Sequence, residues 1–305
     1  IEGNSTLNVR TLNLHEGTLI NQGTLRFKED GIFHLHGNNL INDHKIKGIK
    51  RLFFEAGGTF HHRTSKAQLK IKKGQFSYEG QEMVFHPDSF MKAQTIQVKT
   101  AQKLNTLPRM NGKILDLEAS SLEECDFEKV TLFKSLHLLS TKSSLTFTNP
   151  LVFAGSLKVE APCVRNTKGI GSRGSIQFKA PQILNEAFLV SEQGKIILEG
   201  NVHHTQGLLG ASEGVEIIGE AHVFQGDFHP QSAFLIKSKQ GLTYDPEKLK
   251  TKNLLKLIFQ EPVSFPQGIK TLGSLFLEGP SVEIGKGLEA TYTEAQTPFL
   301  KMAGD

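Results

Sequence analysis

The chain has 305 residues, with 35 basic and 31 acidic side chains and a formal net charge of +4. Its content of branched and aromatic residues, including 21 Phe, excludes an intrinsically disordered chain, and two cysteines exclude a disulfide-stapled scaffold. At ~150 residues per domain the length suggests two globular domains, and it fits one elongated repeat equally well. The 29 glycines exceed the usual share of ~7%. No run approaches ~18 apolar residues, so no membrane-spanning helix is expected. The chain begins Ile1-Glu2-Gly3-Asn4 with no basic segment leading into an apolar one, and is read as a processed chain or a segment of a longer protein.

In chain order, Thr18-Leu-Ile-Asn-Gln-Gly-Thr-Leu-Arg-Phe27 reads as strand and turn. Next comes Gly31-Ile-Phe-His-Leu-His-Gly-Asn-Asn-Leu-Ile-Asn42, the first copy of a repeat. The densest basic stretch, Lys66 to Lys73, alternates Leu69 and Ile71 with Lys70 and Lys72, the polar face of a half-buried strand. Residues 99–112 are irregular and are expected as an insertion looping from one coil. Ile114 to Leu117 is strand-like, residues 118–130 are ambiguous, and Ser144 to Asn149 is again strand-like.

The repeat is plainest in the middle. Gly155-Ser-Leu-Lys-Val-Glu-Ala-Pro-Cys-Val-Arg-Asn166 aligns with Gly174-Ser-Ile-Gln-Phe-Lys-Ala-Pro-Gln-Ile-Leu-Asn185, with a copy opening at Gly194 and a looser one at Gly214. The third and fifth positions are apolar, the alternation of a strand with one buried face. The seventh is small (Gly37, Ala161, Ala180, Gly200), as a tight corner requires. The twelfth is Asn42, Asn166 or Asn185, a residue that tolerates the left-handed backbone and marks a second corner. Residues 243–260 are a second expected insertion, within which Asp245 to Lys256 reads as a short helix with Asp245 as N-cap and Pro246 next. Ser274 to Glu278 and Val282 to Ile284 close the series of strands.

Strand, corner, strand and corner every ~20 residues describe a coil of a parallel β-solenoid. Stacking would place Leu157, Ile176 and Ile196 in one interior column and Val159, Phe178 and Leu198 in another. The fold class expected is all-β, a right-handed parallel β-helix forming a single domain over residues 1–305. About 15 coils rising ~4.8 Å each would make a rod on the order of 70 Å.

This pattern resembles the haemagglutinin repeats of filamentous-haemagglutinin-type exoproteins, in which a glycine-opened apolar strand and a small corner lead to Asn-x-Gly. Leu19-Ile20-Asn21-Gln22-Gly23 matches that junction, and Ile41-Asn42 and Leu184-Asn185 match its first half. The resemblance covers about residues 1–42 and 155–226. It implies a secreted or bacterial cell-surface protein exported by two-partner secretion, acting as a stalk or adhesin or carrying a toxin module. It also implies a host or neighbouring-cell surface protein or glycan as partner, further domains of the same polypeptide, and no catalysis. The chain is richer in Lys, Phe and His than such repeats, and Asn149-Pro150-Leu151 is only a fragment of the secretion-domain motif.

Each chemical motif has a plainer counterpart. His34 and His36 alternate on one strand, and His61-His62 and His203-His204 are adjacent, so paired imidazoles could ligate a metal; an exposed strand face is the simpler reading. A polysaccharide lyase or glycoside hydrolase on a β-helix would need two carboxylates at ~5–10 Å. Asp116 and Glu118 share a strand face, Glu123, Glu124 and Asp126 cluster nearby, and Asp227 follows a corner; solvated surface charge is the better explanation of them. Gly171-Ser172-Arg173-Gly174-Ser175 is neither a nucleophile elbow nor a phosphate loop, and reads as a coil corner. Cys125 and Cys163 lack metal-finger context and are read as free. No catalytic, cofactor-binding or metal-binding residue and no cofactor is assigned. Without a sustained basic stripe and stacking aromatics, no nucleic-acid partner is expected.

Overall fold

A computed structural model describes the chain except residues 3–4, 15–16, 36–38, 49–53, 57, 73 and 303–305, with backbone only at 14, 28–35 and 54–56. It is an all-β parallel solenoid with coils of about 20 residues. The described residues group into two units, Ile1–Leu145 and Thr146–Asp305.

In the second unit, period-two burial does what the pattern predicts. Leu157 lies beside Ile176, Ile176 beside Ile196, Ile196 beside Val215, and Val215 beside Phe234. The same column runs on through Leu255 and Leu275. All seven side chains are at most 2% exposed. The companion column passes through Val159, Phe178, Leu198, Ile217, Ile236, Leu257 and Leu277. Each fully buried side chain of this kind contributes roughly 1.5–3 kcal/mol. Aromatic rings add directional packing, with Phe147 stacked on Phe178 at 6.2 Å and Phe228 on Phe234 at 4.3 Å.

The coil has a third face that the two-strand repeat does not reveal. Leu151–Phe153, Ile170–Ser172, Leu189–Ser191, Leu208–Ala211 and Asp227–Phe228 form a separate five-stranded parallel sheet. The small seventh position is the bend between the other two faces, which Ile176–Asn185 and Ile196–His204 cross as single bent strands. The pairing register shifts there, between Lys179 and Gln182 on the first of them. Gly200 at this bend has φ +143°, and a Cβ on it would stand 1.7 Å from the Ala180 carbonyl oxygen. The repeat opening at Gly214 is one residue short. Val215 and Ile217 therefore point inward, while Glu216 and Ile218 face out.

The first unit has the same three-sided plan. One sheet orders Thr6–Leu14, Thr24–Leu35, Lys45–Gly48, Gln68–Ile71, Phe90–Lys92 and Arg109–Asn111. A second orders Thr18–Asn21, Asn39–Asn42, Thr59–His62 and Glu82–Phe85. On the third face Gln75–Gly80, Thr95–Thr100, Ile114–Ala119 and Ser135–Ser140 pair in turn. In the ambiguous stretch 118–130 the strand on this face ends at Ala119. The chain then forms a 3-10 turn at Phe127–Val130, capped by Asp126, whose carboxylate accepts from Glu128 N at 3.1 Å.

Three local expectations need correction. Residues 99–112 are not an insertion: Thr95 pairs with Ile114, an ordinary coil step, and Leu104 and Leu107 are buried. Nor are residues 243–260, because Phe234 pairs with Leu255. The helix expected from Asp245 is a single turn. Asp245 accepts from Glu247 N at 2.9 Å, but Leu249 and Thr251, and then Leu255, Leu257 and Phe259, are buried at two-residue spacing. Alternating burial outweighs a good N-cap, and the chain enters the strand Leu254–Phe259.

Candidate functional surface

Two polar ladders run inside the coils, and they claim the residues that looked most like ligands. In the first unit Asn21 pairs with Asn42, Asn42 with His62, and His62 with Phe85. In the second, Asn166, Asn185, His204 and Phe224 stand in the same order. Asn21 Nδ2 donates to Asn42 Oδ1 at 2.7 Å, and Asn42 Nδ2 lies 3.1 Å from His62 Nε2. Asn166 Nδ2 donates to Asn185 Oδ1 at 2.7 Å, and Asn185 Nδ2 lies 2.9 Å from His204 Nδ1. The corner asparagines thus hydrogen-bond one another across coils as well as holding the local turn, where Asn166 Oδ1 accepts from Gly169 N at 2.9 Å.

In each ladder the asparagine next to the histidine turns its oxygen the other way, accepting from the preceding asparagine. Its amide N–H therefore faces the imidazole, which must accept and so be neutral. His204 completes its bonding by donating Nε2–H to the Asp227 carbonyl at 3.1 Å. Among the described residues the Nδ1 of His62 has no partner. Burial pushes the His62 pKa down to about 3 and lowers that of His204 as well.

The adjacent imidazoles do not converge. His61 faces out, 3.3 Å from Glu82, while His62 faces in; His203 and His204 divide likewise. The side chains of His34 and His36 lie outside the described residues. Among the described residues no group of three or more His, Cys, Asp or Glu could hold a metal ion.

Asp116 and Glu118 do share an outward face, but each meets a group on a neighbouring coil. Asp116 is 3.0 Å from His137 and Glu118 is 4.0 Å from Lys99, which also pairs with Glu79 at 3.0 Å. Glu124 pairs with Lys103, Asp126 is the cap described above, and Asp227 pairs with Lys248 at 2.6 Å. Of the expected corner Gly171–Ser175, Gly171 and Ser172 belong to the strand Ile170–Ser172 and the bend begins at Arg173; Ser172 is buried and donates to the Gly155 carbonyl. Cys125 and Cys163 are free, and burial pushes the Cys125 thiol up to about 12.

One outward column departs from this charge-compensated pattern. Arg26 pairs with Lys47, Lys47 with Lys70, and Lys70 with Lys92, giving four cations on four successive coils. The adjoining column adds Lys45 and Arg109. Over the paired stretches Thr24 to Phe27, Lys45–Gly48, Gln68–Ile71, Phe90–Lys92 and Arg109–Asn111 there are six cations and no carboxylate. Their partners in the alternation, Leu25, Ile46, Leu69 and Met91, are fully buried, so the cations are held on the outside. Among the described residues none of the four makes an ion pair. Arg26, Lys47, Lys70 and Lys92 line a shallow groove with Gly48 and Lys72, and Lys70 Nζ stands 5.2 Å over the Phe90 ring.

Of the four cations in this column, the sequence alone marked only Lys70, as part of the polar face of a half-buried strand. The available signal was the alternation of cation and apolar residue at both Lys45-Ile46-Lys47 and Lys70-Ile71-Lys72. No protein-family model, curated protein or solved structure matches the chain. No helix among the described residues is long and apolar enough to cross a membrane.

Proposed function

We propose that the chain is a non-enzymatic stalk or adhesive segment of a large secreted or surface-exposed exoprotein of the haemagglutinin-repeat kind. One observation carries this reading: a repeated coil builds a continuous outer face on which like charges recur at the same position, coil after coil. Such a face suits extended contact with a cell-surface protein or glycan better than turnover of a small substrate. The carboxylates a glycan-cleaving enzyme would use are drawn instead into contacts between coils, as at Asp116 with His137 and Asp227 with Lys248. Fluorescently labelled chain is expected to bind intact cells saturably and to leave neutral and acidic polysaccharides at full length. Depolymerisation of any polysaccharide overturns the proposal, and the absence of saturable cell binding overturns its adhesive form.

A further inference from the structure

We infer that the Arg26–Lys47–Lys70–Lys92 column is a binding track for a linear acidic polysaccharide, lying across the coils along the stacking direction. This rests on the adhesive reading and adds the ligand class. Parallel pairing sets one cation per rung at ~4.8 Å, so four rungs span about 14 Å. A small compact anion would meet only one or two of these charges; a polymer with regularly repeated sulfates or carboxylates meets all of them. Lys45, Lys72 and Arg109 border the track with further positive charge. The aliphatic stems of the lysines offer apolar edges to the C–H faces of sugar rings.

A single-stranded nucleic acid is the weaker fit. Such strands are held by a row of aromatic side chains on which successive bases stack. Here Phe90 is the one aromatic residue in the two outward columns, and Lys70 already covers its ring. The track also differs from the other outward faces of the coils, where Glu79, Lys99 and Glu118, or Lys237 and Glu216, alternate in sign.

The test is binding of the whole chain to heparin oligosaccharides of increasing length, to polygalacturonate, to neutral dextran and to oligothymidylate, over a range of salt. Affinity for the acidic glycans should rise with length until the oligosaccharide spans four rungs, with no binding to dextran. By analogy with single-strand polyelectrolytes, four contacts predict a log–log salt slope of about −3. K47Q/K70Q should weaken binding by at least about tenfold and roughly halve that slope. R26Q/K92Q, on the exposed end rungs, is a second variant should the first fail to fold. K168Q/K195Q removes the same charge from exposed sites in the other unit and should change nothing. Equal weakening by K168Q/K195Q, tighter binding to oligothymidylate than to the glycans, or no glycan binding overturns the inference. If glycan binding fails while saturable cell binding persists, only the ligand class is refuted; if both fail, the adhesive reading falls too.

Discussion

Acidification should loosen the coils around His62, and His62→Asn should abolish that response. His62 is fully buried, with Nε2 3.1 Å from Asn42 Nδ2. Because Asn42 Oδ1 is bound by Asn21, a proton on Nε2 would set two donors against each other. Burial lowers the folded pKa from 6.5 to about 3, while the unfolded ring titrates near its ordinary ~6.5. Below that pH the unfolded chain takes up a proton that the folded chain refuses. The stability linked to His62 is therefore complete above pH ~6.5 and is lost progressively as the pH falls toward the folded value. At pH 5 the loss is about 1.5 pH units at ~1.36 kcal/mol each, or about 2 kcal/mol. Native-state hydrogen exchange is the suitable assay, since coils open locally and not all at once. Between pH 7.5 and 5, protection of amides in Asn39–Asn42, Thr59–His62 and Glu82–Phe85, corrected for intrinsic exchange, should fall about thirtyfold. His62→Asn puts the ladder's own residue type on the third rung; it should cost stability at both pH values and flatten the response. His61, outward beside Glu82, is present in both proteins, so its contribution cancels from the difference. An equal pH response in wild type and variant refutes the buried neutral imidazole.

Two further perturbations probe the stack. Ile176→Ala removes a fully buried rung of the inner column and should cost roughly 2–5 kcal/mol, felt in the flanking coils; an unchanged melting curve refutes the column. Gly200→Ala sets a Cβ against the Ala180 carbonyl at a φ that side chains rarely adopt, and should disrupt the bend beyond the ~1 kcal/mol of an ordinary glycine replacement. Wild-type exchange protection across Ile196–His204 in that variant would show that the bend needs no glycine.

The inner columns were legible because a strand points alternate side chains to opposite faces wherever it lies. Leu157, Ile176 and Ile196 declare themselves from local alternation and a repeat of about 20 residues. The corner asparagines were half legible: Asn166 and Asn185 do shape turns, but their bonding to each other and to His204 depends on which coils become neighbours. His62 and His204 looked like ligand candidates beside His61 and His203. Their distances from Asn42 and Asn185, one coil step each, would have marked them as further rungs of the asparagine ladders. Asp245 illustrates the reverse error, a sound local capping signal overruled by the burial of Leu249, Thr251 and Leu255.

By itself the sequence determined the coil length, the parallel solenoid class and the two hydrophobic columns, all consequences of period-two patterning and a repeated corner. Only the tertiary structure decided the third face of the coil, the absorption of residues 99–112 and 243–260 into regular steps, and the alignment of Arg26, Lys47, Lys70 and Lys92. The physical reason is register. The steps between these cations are 21, 23 and 22 residues, so no fixed period predicts them. Their alignment emerges once the corners between coils take up the extra residues and the backbone pairs close.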